Sequence, residues 1–154
     1  MDLRVGYLQE KLVVGMKSKM QQLQYQNIVA LWKQFMPRQT QIKNRLTQEF
    51  IALQNYSDFG NSTDNFEFWA CVEVSNSSFL PEGMWFMKIP EGQYAIVLHK
   101  GMDAGATYQK IITEWLPTSG YKIANRPHFQ VMGEKYNNGC QDSEEDVYVP
   151  IEKL

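Results

Sequence analysis

The sequence predicts an α+β fold: a duplicated strand-helix-strand-strand unit with antiparallel sheets, helices on one side, and a ligand crevice on the pseudo-twofold between the copies. Three observations carry this expectation. Several short runs alternate apolar and polar residues with the period of a strand. Two apolar stripes recur at i, i+3, i+4, i+7, and each is stopped by a proline. The two halves of the chain also repeat one another in register.

The first strand is LVVGMKSKM, Leu12 to Met20, where Met16, Ser18 and Met20 alternate with Lys17 and Lys19. A helix follows, with Ile28, Leu31, Trp32 and Phe35 on one stripe and Pro37 as its stop. The polar stretch PRQTQIKNRLTQE suits an irregular turn before the strand FIALQNY, Phe50 to Tyr56. DFGNSTDN, Asp58 to Asn65, reads as a loop. The second half opens after the strand FEFWACVEV, Phe66 to Val74, and a turn marked by Pro81 and Gly83. Met84 to Ile89 and Gly92 to Lys100 are two further strands. Tyr108, Ile111, Ile112 and Trp115 form the second helical stripe, closed by Pro117 and Gly120. FQVMGEKY (Phe129 to Tyr136), an acidic loop NNGCQDSEED and the strand DVYVPIEKL complete the chain.

At an offset of 80, Phe35-Met36-Pro37 meets Trp115-Leu116-Pro117, Ile28 meets Tyr108, Leu31 meets Ile111, Tyr56 meets Tyr136 and Phe68 meets Tyr148. These matches divide residues 1–154, read as one domain, into repeats of about 1–75 and 83–154. Clefts between structural halves are common ligand sites.

A net charge of -2 offers no general attraction to nucleic acid. Two distant cysteines, Cys71 and Cys140, without a CxxC motif suit free thiols in a reducing cytoplasm. The N-terminal MDLRVGYLQEK is charged and has no long apolar core, so neither a signal peptide nor a membrane span is expected. His99 and His128 stand without a nucleophile motif, and the DSEED run, Asp142 to Asp146, lacks the spacing of a calcium loop. No catalytic residue, metal site or cofactor is expected.

What remains is an aromatic content of 13% with eight methionines, material for an adaptable binding wall. In FQVMGEKY, alternation separates Phe129 and Val131, expected to pack on the helices, from Gln130, Met132, Glu134 and Tyr136, expected to face the crevice. Phe50, Ala52, Gln54 and Tyr56 form the corresponding face of the first half. With Phe68, Trp69, Trp85, Tyr94 and Tyr148 they would make an aromatic cage. A desolvated carboxylate there, Glu134 or else Glu73, would favour a lipophilic organic cation.

FWACVEV, IPEGQYAIVLHKG, WLPTSGYKIANRPHFQVMGEKY and DSEEDVYVPIEKL, in that order, resemble successive blocks of the GyrI-like small-molecule-binding domain, also the effector-binding half of AraC-type and MerR-type multidrug regulators. LVVGMKSKM and IVALWKQFMP resemble its first strand and helix. The resemblance implies a duplicated fold and one of three roles: binding lipophilic cations in an aromatic pocket with a buried acid, modulating DNA gyrase, or hydrolysis by a Glu and a Tyr. The family's F-E-x-Y block reads Phe129-Gln130-Val131-Met132 here, so the acid and tyrosine are replaced. The expectation is therefore a stand-alone bacterial ligand-binding module in the cytoplasm. It would bind no nucleic acid or membrane itself, and would work with a separate regulator or gyrase as partner.

Overall fold

The computed structural model describes residues 2–21, 25–56, 65–101, 103–137 and 140–154. Its strands are β1 (Leu3–Leu8), β2 (Lys11–Gln21), β3 (Phe50–Asn55), β4 (Asn65–Val74), β5 (Trp85–Ile89), β6 (Gly92–Lys100), β7 (Tyr121–Ile123), β8 (His128–Met132) and β9 (Glu144–Lys153). Helix α1 spans Tyr25–Phe35 and runs into a 3-10 turn at Pro37; α2 spans Ala104–Lys110, capped by Asp103, and continues as a π turn over Ile111–Trp115. The expected loop Asp58 to Asn65 lies outside the described residues except for Asn65, which opens β4. Strands β1 and β7 have no counterpart in the sequence reading, while Glu144 and Glu145, expected in a loop, begin β9 ahead of the expected strand.

All pairings are antiparallel, in the order β1-β6-β9-β8-β3-β4-β2-β5, with β7 against β9. From either end of β6-β9-β8-β3-β4-β2 the pattern is the same, with β3 and β8 at the centre. This is the α+β duplication the sequence predicts. The leading strand of each half is exchanged: β1, which precedes β2, pairs with β6, and β5, which precedes β6, pairs with β2.

That exchange bends the sheet. Strands β1 and β2 stand six positions apart in the order, about 29 Å in a flat sheet at roughly 4.8 Å per strand. Only Gln9 and Glu10 join them, a reach of about 10 Å. The sheet must therefore roll until its edges meet, giving an inner face and an outer, helix-covered face. The helix face carries two cores. Val14, Phe68, Ala70 and Val72 pack with Leu31 and Phe35 of α1; Ala95, Val97, Val147 and Val149 pack with Ile111. The inner face has its own core of Val13, Ile51, Leu53, Trp69, Cys71, Ile89, Tyr94, Ile96 and Phe129, drawn from both halves.

The repeat offset of 80 holds for the helices but drifts in the sheet. Strands β4 and β9 match end to end at an offset of 79, so Trp69 answers to Tyr148 and Phe68 to Val147. Trp69 pairs with Leu53 and Tyr148 with Phe129, which sets β3 and β8 at an offset of 76 and makes Met132 the counterpart of Tyr56. The Tyr56–Tyr136 and Phe68–Tyr148 matches are thus accidents of composition, because loops of unequal length absorb the difference.

Candidate functional site

The inner face is where the crevice was expected, and its floor is packed. Phe129 stacks on Tyr148 at 4.6 Å and meets Tyr94 edge-on at 5.4 Å. Tyr94 is fully buried, with the Arg126 guanidinium 5.1 Å from its ring centre. Burial pushes the Tyr94 and Tyr148 phenols up. Two open surface hollows of the described residues, about 540 Å³ and 380 Å³, lie beside Lys100 and Glu144 and beside Glu10 and Glu73. The open seam cavity expected from the duplication is therefore filled at its base.

Alternation places the strand residues correctly in two sets but assigns the sets to the wrong faces. Phe129 and Val131 belong to the inner core, whereas Met132 packs on the α1 core and Gln130 shares its face. Phe50 likewise lies against Trp32 of α1 at 6.2 Å, and Phe68 is buried beneath the same helix. Tyr56 contacts Phe66 and His128, again with the helix-face set. Both faces of these strands are covered, one by helices and one by the opposite half, so the period reveals two faces without saying what covers each.

The expected acids fare differently. Strand β8 ends at Met132, and Glu134 is exposed in the turn that follows, so it is not the desolvated counter-charge. Tyr136 lies beyond that turn, its phenol pushed up by burial and by Glu145. Glu73 is held by Lys11 at 3.4 Å. An acid that meets an indole of the inner face is Glu67, which is absent from the sequence-based expectations. Its signal was the i, i+2 relation to Trp69, which places both on one face of β4.

Glu67, Trp69, Trp85 and Lys17 form the candidate site at one end of the inner face. Lys17 pairs with Trp69 in the β2–β4 register, and Trp85 pairs with Gly15 across β2 from β5. Trp69 Nε1 donates to Glu67 Oε1 at 2.7 Å, fixing the carboxylate. Lys17 Nζ lies 3.2 Å from Glu67 Oε2, 4.2 Å from the Trp85 ring centre and 5.5 Å from that of Trp69. Trp69 is 2% exposed and Trp85 52%, so the site has a buried wall and an open one. Two indoles and an oriented carboxylate around an ammonium are the elements of an organic-cation site.

A second polar group lies under α2. Glu145 is buried on the helix face opposite His99 in the β6–β9 register, and His99 Nδ1 lies 2.5 Å from Thr107 Oγ1. Burial pushes the Glu145 carboxyl up to about 7. A raised native value means the folded chain holds this proton more tightly than the unfolded chain. The favourable contribution is then complete below about pH 4.5 and is lost as pH rises through about 7. At pH 8, Glu145→Gln is expected to be more stable than the parent by about 2 kcal/mol, discounted for the solvent the carboxyl still meets. Urea titrations at pH 4.5 and pH 8 check this; equal differences at both would remove the assignment.

The family model described as Cass2, integron-associated effector binding protein, matches residues 4–151. A curated protein of Escherichia fergusonii named DNA gyrase inhibitor is 34% identical over 87 residues, covering 52% of this chain and 54% of the relative. The match thus spans about half the length of that relative. A putative transcription regulation protein from Staphylococcus aureus MU50 has the same fold, with a TM-score of 0.69, 14% identity and 99% of each chain covered. SAV2435 bound to tetraphenylphosphonium aligns with a TM-score of 0.70 and 15% identity, over 99% of this chain and 94% of that one. None of the helices among the described residues is long and apolar enough to cross a membrane.

Proposed function

This chain belongs to the integron-associated effector-binding protein family, and on that footing we propose that it binds amphipathic organic cations at the Glu67–Trp69–Trp85 end of its inner face. The observation that carries this reading is the site's present occupant, a lysine ammonium held between a carboxylate and two indoles. Recognition would combine apolar burial on Trp85, Met87 and Trp69 with cation–π attraction of about 0.5–2 kcal/mol per ring and the charge of Glu67. The similar fold of SAV2435, bound to the lipophilic cation tetraphenylphosphonium, supports the ligand class. On this reading the chain is a binder rather than a catalyst.

The test is a thermal-shift comparison. Tetraphenylphosphonium is expected to raise the melting temperature, while tetraphenylborate, nearly the same size with opposite charge, is expected to have little effect. Glu67→Gln should weaken the cation by about tenfold, as befits removal of a partly buried counter-charge. Equal stabilisation by the two ions would remove the role of Glu67.

A second reading has its own support. The packed floor leaves little room for a deep ligand, and the curated relative is named DNA gyrase inhibitor. Gyrase modulation through protein contact would need no cavity, and co-sedimentation with purified gyrase tests it directly.

A further inference from the structure

We infer that Lys17 is a tethered competitor: its ammonium fills the cation position of the proposed site, and an incoming organic cation must lift it out. This inference rests on the binding site proposed above. Glu67 is engaged at both oxygens, Oε1 by the Trp69 indole and Oε2 by Lys17, so a newcomer reaches a free carboxylate only after Lys17 has left.

The fold does not require a lysine there. Trp69 answers to Tyr148 in the second half; Trp69 pairs with Lys17 in β2, and Tyr148 pairs with Ile96 in β6. The same architectural position thus holds a buried isoleucine in one half and an ion-paired lysine in the other. An aliphatic side chain meets the packing demand of the inner face, so the charge of Lys17 serves something else.

Lys17 is also able to leave. Its side chain is 27% exposed and that of Glu67 is 22%, so the pair stands at the boundary with solvent. The flexible stem carries the ammonium into water without moving the backbone of β2. Lys19, next on the same face, is already exposed and opposes Glu67 in register.

The consequence is a filter on ligands. With Lys17 in place the carboxylate is neutralised, and the loss of its ion pair and ring contacts is charged against every cation that enters. A small inorganic or alkylammonium ion offers no more than Lys17 already does. An aromatic cation adds apolar area over Trp85 and Met87, and so displaces it.

Calorimetric titration of tetraphenylphosphonium into the parent and into Lys17→Met tests this, with a second readout from ¹³C-dimethylated lysine signals. The Lys17 signal is identified by its loss in the variant, and in the free protein the rings should shift it from the ordinary lysine position. Binding about tenfold tighter in Lys17→Met, together with return of the Lys17 signal to the ordinary position at saturation in the parent, is the expected result. A parent that fails to bind while Lys17→Met binds would also uphold the competitor, yet remove the proposed function from the natural chain. Equal or weaker binding in the variant, or a Lys17 signal unmoved at saturation, overturns the competitor and leaves the proposed function standing. No binding to either protein overturns both.

Discussion

Gly15→Ala is expected to destabilise the protein by about 3 kcal/mol, at the upper end for overpacking or beyond it. A Cβ at Gly15 would stand 2.0 Å from the Ala70 carbonyl oxygen and 2.6 Å from the Cys71 Cα and Cβ. These are mostly main-chain atoms of β4, which pairs with β2 on one side and β3 on the other, so no flexible side chain can give way. The added methyl must push β2 off β4, and β5 with it, because Gly15 also pairs with Trp85. At roughly 2–4 °C per kcal/mol, the melting temperature should fall by about 6–12 °C. Urea denaturation gives the energy directly, and an alanine variant within 1 kcal/mol of the parent would refute so close an approach. The site should suffer too, since β2, which carries Lys17, and β4, which carries Glu67 and Trp69, are the two strands this glycine lets together.

Phe129→Ala should cost more, about 3–5 kcal/mol. Phe129 is buried under both halves, stacked on Tyr148 and edge-on to Tyr94, and nothing nearby is free to collapse into its place. The cavity left behind would be lined by Ile51, Leu53 and aromatic rings, and an apolar cavity of that kind stays dry and admits small aromatic molecules. Benzene is therefore expected to raise the melting temperature of the variant and not of the parent. This outcome distinguishes a packed floor from an open seam. If the floor were open, truncation would cost little and benzene would have no selective effect.

The elements of this fold were largely legible because their causes are local. The apolar run in GQYAIVLHK and the stripes ending at Pro37 and Pro117 depend on residues close to one another in sequence, and β6 and both helices lie where those patterns put them. What was not legible depends on partners distant in sequence. Alternation in β8 separated Phe129 from Gln130, but which face meets a helix is decided by the rolling of the whole sheet. Glu134 reads as a strand residue only if β8 continues past Gly133, where the chain instead turns. The role of Glu67 is not legible in the sequence because it lies in Lys17, 50 positions away, and in Trp85, which arrives from the other half. β1 was unassigned for the same reason, since its partner β6 lies far along the chain.

The exchange of leading strands has a consequence for ancestry and for engineering. One repeat made by itself would lack a partner for the edge that its sibling normally covers, and two such molecules could satisfy one another only by intertwining. An interlocked pair of identical chains would carry the same residue at both ends of the trough. Covalent fusion lets one end hold a lysine beside tryptophan while the other keeps isoleucine beside tyrosine. Joining two copies into one polypeptide is thus what freed a symmetric scaffold to be chemically lopsided.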